Sequence, residues 1–174
     1  MGIVDRVLDT FFGRDETRDW PSATARTIKL DLRAPSLDGV RIGDPFERLR
    51  AFGRPQGRRP SRYRSCLFPA LGLIAEHVDR RVVYFGLPLD DDRFDAIGPC
   101  RLEIAFPDGC TEAPPWTIER FSAVLGPPAS EDTDEEEILT EFELPAGVVL
   151  ELESELDRQV RRVNLFPRDD ASPA

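Results

Sequence analysis

One histidine, His77, one lysine, Lys29, and three cysteines, Cys66, Cys100 and Cys110, are all that the 174 residues contain of those three types. A single histidine excludes a His-His metal pair and a relay between imidazoles, though one imidazole alone still serves as a base. Three cysteines without CxxC spacing give neither a disulfide framework nor a zinc site, and they suit a reducing compartment. No stretch reaches the ~20 uninterrupted apolar residues of a membrane helix. The opening MGIVDRVLDTFFGRDE has no small-residue cleavage site and makes a poor secretory signal. A cytoplasmic location without a membrane partner is the expectation. GxxxxGK[ST], GxGxxG and the nucleophile elbow are missing too, so no catalytic residue, metal ligand or cofactor is assigned.

Acidic charge is abundant. With 33 acidic against 23 basic residues the net charge is -10, which argues against nucleic acid, since a phosphate backbone demands concentrated positive charge. Arginines cluster locally in GRPQGRRPSRYR, residues 53–64, which reads as a solvated loop. The acidic runs DDDRFD, from Asp90, and SEDTDEEE, from Ser130, lack the calcium-loop spacing and read as solvated loops, or as surfaces that steer a basic partner.

Periodicity supplies the elements. Ile3, Val4, Val7, Leu8, Phe11 and Phe12 recur at helical spacing before Gly13, a short amphipathic helix. RTIKLDLR and RLEIAF alternate as half-buried strands, and ILTEFEL does the same. DPFERLRAFGRP carries a helix with Pro45 at its start, Gly53 at its end and Phe46, Leu49 and Phe52 as its buried stripe; WTIERFSAVLGPP carries another, closed by Gly126.

PALGLIAEHVDRRVVYFGL, residues 69–87, returns as PAGVVLELESELDRQVRRVNLF, residues 145–166, each a strand, an Asp-Arg turn and a second strand. FERL aligns with IERF, and Gly53, Gly72 and Asp79 align with Gly126, Gly147 and Asp157. The predicted fold class is therefore α+β, with two tandem repeats that each pack a helix on an antiparallel sheet. The expected organisation is an N-terminal helix and tether (1–25), repeat one (26–106), repeat two (107–167) and a disordered tail (168–174), the repeats forming one compact unit. In the order of its elements, helix, Gly-Pro exit and hairpin, the pair over residues 39–166 resembles β-lactamase inhibitor proteins and related small bacterial lipoproteins of outer-membrane assembly. That resemblance implies binding by a sheet surface without catalysis.

Pairing each hairpin through its Asp-Arg turn predicts register. In the second copy Leu150 opposes Leu165 and Leu152 opposes Val163 on the core face, with Glu153 opposite Arg162 and Glu151 opposite Asn164 on the wet face. In the first copy Ile74 opposes Phe85 and Glu76 opposes Val83, which leaves Leu73, Ala75, His77, Val82 and Tyr84 on an apolar second face in need of a cover. Leu73, His77, Val82 and Tyr84, with Arg62 and Arg64 nearby, are thus the candidate binding residues. The functional expectation is a non-catalytic, inhibitor-like or immunity-like module for a protein partner, a basic one by charge. The rivals are a small-molecule site or enzyme with a pocket between the repeats, lined by Tyr84, His77, Arg62 and Arg64, and a homodimer formed through the N-terminal helix.

Overall fold

Alternating side chains pack on a pleated backbone, and the strictly alternating segments of this chain become strands. The computed structural model describes residues 16–56, 65–90 and 97–168. Within them eleven strands form, β1 (Ile28–Asp31), β2 (Ser36–Leu37), β3 (Ser65–Phe68), β4 (Leu73–Val78), β5 (Arg81–Pro88), β6 (Leu102–Ala105), β7 (Thr111–Glu112), β8 (Ser130–Thr133), β9 (Glu137–Leu144), β10 (Val148–Glu155) and β11 (Val160–Pro167). A four-stranded sheet runs β2-β1-β6-β7, and a seven-stranded sheet runs β3-β4-β5-β11-β10-β9-β8. The N-terminal amphipathic helix, Arg62, Arg64, most of DDDRFD and nearly all of the tail lie outside the described residues.

This architecture overturns the α+β expectation of two tandem units, each a helix on its own sheet. Among the described residues the only α-helix is α1 (Ile118–Leu125), eight residues long, and the rest is mainly β. The halves share their sheets: β5 pairs antiparallel with β11, and β1 pairs parallel with β6, Ile28 opposite Leu102 through Asp31 opposite Ala105. Both pairings join residues far apart in sequence, and no local pattern announces them.

The segment read as the first helix is a 3₁₀ helix, Phe46–Phe52. Its buried residues, Phe46, Leu49 and Phe52, recur every third position, which is the 3₁₀ repeat of three residues per turn rather than the α repeat of 3.6. In α1 the buried Ile118 and Phe121 are followed by the partly buried Val124 and Leu125, a spacing that suits the wider turn. Both segments end at a glycine of almost the same conformation, Gly53 (φ 90°, ψ -166°) and Gly126 (φ 91°, ψ -172°).

Corresponding positions in the two halves make corresponding contacts. Phe46 N donates to Arg80 O and Ile118 N to Arg158 O; Val82 N donates to Asp44 O and Val160 N to Trp116 O. Arg80, at φ 60°, forms ion pairs with Glu47 and Glu16, and Arg158, at φ 64°, pairs with Glu119 at 2.5 Å and Glu131 at 3.0 Å. These guanidinium groups are a third to a half exposed, so each pair adds only ~0–1 kcal/mol and serves mainly to fix the hairpin turn against its helix.

One face of the seven-stranded sheet supplies the core. A row of side chains crosses it from Ala75 through Phe85, Leu165 and Leu150 to Phe142, and all five are buried. Phe52 packs edge-on against Phe68 and Phe85, and Phe121 meets Phe142 and Phe106, so both helices lie on this side. Fully burying such large apolar side chains is worth roughly 1.5–3 kcal/mol each. The opposite, outer face is where the polar chemistry gathers.

Candidate functional site

The second hairpin adopts the register read from its turn: Leu150 opposes Leu165, Glu151 opposes Asn164, Leu152 opposes Val163 and Glu153 opposes Arg162. The first hairpin does not. Between Glu76 and His77 the register slips by one residue, so His77 opposes Val82 while Glu76 opposes Tyr84 and Ala75 opposes Phe85. Val83 is the extra residue of a bulge, and a one-residue slip sends every side chain beyond it to the other face.

The sequence-derived candidates are divided by that slip. Leu73, His77 and Val82 turn into the core, at 0, 8 and 0% exposure. The His77 ring packs 4.5 Å from that of Phe46. Tyr84 stands on the outer face, on the other side of the sheet from His77. Arg62 and Arg64 fall outside the described residues. The apolar surface expected of Leu73, Ala75, His77 and Val82 is core, and the helix Phe46–Phe52 covers it.

Tyr84 instead organises a polar network on the outer face. Its ring lies across Gly86, where an added Cβ would stand 2.7 Å from Tyr84 Oη and 3.0 Å from its Cε1. Glycine leaves the backbone bare, and the phenol uses that space to reach the neighbouring strand. Tyr84 Oη donates to Asn164 Oδ1 at 2.7 Å and accepts from Arg162 Nη2 at 2.8 Å. Asn164 Nδ2 donates to Glu151 Oε1 at 2.8 Å and to Glu153 Oε1 at 2.9 Å. Arg162 Nη1 pairs with Glu153 at 3.2 Å.

Burial sets the electrostatics. Asn164 is only 2% exposed, an amide held at the centre of a sheet with its donors shared between two carboxylates. Desolvation raises the Glu151 carboxyl above its ordinary value, Glu153 and Glu141 push it the same way, and the Asn164 hydrogen bond opposes them. Burial likewise raises the Tyr84 phenol, against the pull of Arg162. At neutral pH Tyr84 therefore stays protonated and keeps its donor role.

Glutamates dominate the rest of this face. From Gly86 the cross-strand row continues through Asn164, Glu151 and Glu141 to Ser130, and Ser130 Oγ donates to Glu141 Oε2 at 2.8 Å. Glu76 and Glu143 share the face by strand alternation. Arg168 pairs with Glu143 at 2.8 Å and Arg162 with Glu153. Among the described residues no ion pair satisfies Glu76, Glu141 or Glu151. The arrangement offers hydrogen-bond acceptors and negative charge to a cation, and it holds no nucleophile poised beside a base.

The cysteines take a packing role in two cases out of three. Burial pushes the thiols of Cys66 and Cys100 up to about 12, far from the thiolate that reactivity requires. Cys110 is exposed. Among the described residues no group of three or more His, Cys, Asp or Glu is placed to hold a metal ion, and no helix is long and apolar enough to cross a membrane.

Asn164 and its partners were not singled out by motif, because none exists for such a network. Two signals were present in the strands themselves. Glycine and asparagine are both depleted in strand interiors, and Gly86 follows the run VVYF while Asn164 stands between Val163 and Leu165.

No family model matches the chain, and no curated protein matches it. Among solved structures it is similar to a DUF4309 family protein (YjgB) from Bacillus subtilis subsp. subtilis str. 168, at 19% identity, over 70% of this chain and 76% of that one, with a TM-score of 0.43. A likeness of that degree carries no argument about function, and no specific family is confirmed.

Proposed function

We propose that the protein is a non-catalytic binding module that recognises a protein partner through the outer face of its seven-stranded sheet. The observation that carries this reading is the Tyr84–Asn164–Arg162–Glu151–Glu153 network. It orders five polar side chains on one sheet face and holds Glu151 partly desolvated without an ion pair among the described residues. Polar groups held in fixed positions lose little conformational freedom on association, which favours specific recognition. A small-molecule pocket walled by both Tyr84 and His77 lacks comparable support, since the sheet separates the two side chains.

Capture from a lysate of the source organism tests the reading when wild type is compared with two variants. Leu139→Arg places bulk on the outer face beside Glu153, its cross-strand neighbour. Arg48→Glu alters an exposed residue of the 3₁₀ helix on the other side of the sheet. The same protein should be retained by wild type and by Arg48→Glu and be lost with Leu139→Arg. Retention indifferent to Leu139→Arg, or lost equally with Arg48→Glu, contradicts the reading.

A further inference from the structure

We propose that residues 3–12 pack as an amphipathic helix on the apolar end of the outer face, over Leu67, Ile74, Val78 and the ring of Tyr84. Alternation along β4 turns Leu73, Ala75 and His77 into the core and leaves Ile74, Glu76 and Val78 half-buried on the other side. Leu67, also half-buried, stands opposite Ile74, and Ile74 stands opposite Gly86, the glycine that the Tyr84 ring crosses. One apolar cross-strand row thus spans β3, β4 and β5 before the polar row of Asn164, Glu151 and Glu141 begins. Glu76 separates Ile74 from Val78, and its cross-strand neighbour Ser65 is exposed, so its carboxylate has water on that side. The helices Phe46–Phe52 and α1 both pack on the other face of the sheet.

The place where the described chain begins points to the cover. Glu16, the first described residue, pairs with Arg80 at 2.5 Å in the turn between β4 and β5, while Thr17 is buried and Trp20 packs 5.3 Å from Phe46. Residues 1–15 therefore start from the end of the hairpin that carries Val78. Three residues, 13–15, reach about 10 Å, enough to round that turn to the outer face. Ten residues at helical rise span about 15 Å, close to the roughly 13 Å that separates Val78 from Ile74 along a strand. In the sequence Ile3, Val4, Val7, Leu8, Phe11 and Phe12 fall on one side at helical spacing, and burying them against the row removes both apolar surfaces from water. A membrane surface is the poorer match, since the polar side carries two aspartates, Asp5 and Asp9, against one arginine, Arg6. Docked on the row, the segment borders Tyr84 and leaves β9, β10 and β11 as the open part of the outer face.

Nuclear Overhauser contacts in the full-length protein test this directly. Ring protons of Phe11 and Phe12 should show contacts to the methyl groups of Leu67, Ile74 and Val78, and a mixture of isotope-labelled and unlabelled chains should show none between copies. Leu8→Glu combined with Phe11→Glu should abolish the remaining Phe12 contacts and shift the Ile74 and Val78 methyl resonances. Asp5→Asn combined with Asp9→Asn, on the polar side of the segment, should preserve them. Absence of the contacts in the wild type, or contacts from Phe11 and Phe12 to α1 or to Leu156 in their place, overturns the proposal. Contacts found only between copies would assign the row to the segment of a second chain, which overturns it too. Contacts that survive the first pair of substitutions, or vanish equally with the second, overturn it as well. Because the wild-type contacts are read without any substitution, a variant that fails to fold leaves the result standing on them.

Discussion

At Gly86 a Cβ would press on the Tyr84 ring, and the ring is the movable partner. Gly86→Ala therefore displaces the phenol from Asn164 and Arg162, which is also what Tyr84→Phe removes chemically. Tyr84→Phe should cost about 1 kcal/mol and Gly86→Ala at least as much. Because both act on one set of hydrogen bonds, the double variant should be little worse than Gly86→Ala alone, as measured by urea unfolding; full additivity would place Tyr84 elsewhere. Glu151 adds a pH dependence whose sign follows from its raised carboxyl value. The folded protein holds that proton more tightly than the unfolded chain, so this group favours folding most below the ordinary carboxylate value. The contribution is lost as pH rises through the folded value. Glu151→Gln should consequently stabilise the protein at neutral pH, and its advantage should vanish on acidification through that window. A stability gain that persists unchanged at low pH would rule out desolvation as its cause.

At the scale of elements, the two helix exits separate conformational strain from steric exclusion. Gly53 and Gly126 share a backbone conformation open to glycine almost alone. A Cβ at Gly126 meets nothing within 4 Å, whereas one at Gly53 would lie 2.6 Å from Ala23 Cα and 2.7 Å from Ala23 N. Gly126→Ala should cost about 1–3 kcal/mol from strain alone, and Gly53→Ala distinctly more, because backbone cannot swing aside. Equal losses in chemical unfolding would mean that the approach of Ala23 is not maintained. Much at this scale was legible from the residues. The strands β1, β6 and β9 follow from alternation, α1 from its spacing, and the register of β10 on β11 from the Asp-Arg turn. The register of β4 on β5 was not, since the Val83 bulge leaves no mark in the hydrophobic pattern: Val82 and Val83 are both apolar, and only packing decides which one enters the core. The same slip removed Leu73, His77 and Val82 from the predicted site and left Tyr84.

The molecule as a whole is organised by pairings that no local signal reveals. β5 on β11 and β1 on β6 fuse the two halves, so the chain forms shared sheets and not two separate helix-on-sheet units. The pairing of β5 with β11 also assembles the candidate site, for it brings Tyr84 and Gly86 of one half beside Arg162 and Asn164 of the other. Neither half alone contains the network. Strands central to the larger sheet should open last. Amides of β5 and β11 are expected to show the slowest hydrogen exchange, and those of β8, an edge strand exposed along its length, the fastest. Comparable exchange in β5 and β8 would contradict the strand order.

That exchange experiment, repeated on the complex with whatever protein wild type retains, addresses the binding face directly. Added protection should fall on β9, β10 and β11, centred on Glu141, Glu151 and Asn164, with the 3₁₀ helix Phe46–Phe52 and α1 unchanged. Protection of those two helices with an unaltered β9–β11 face would place the partner on the other side of the sheet and contradict the assignment.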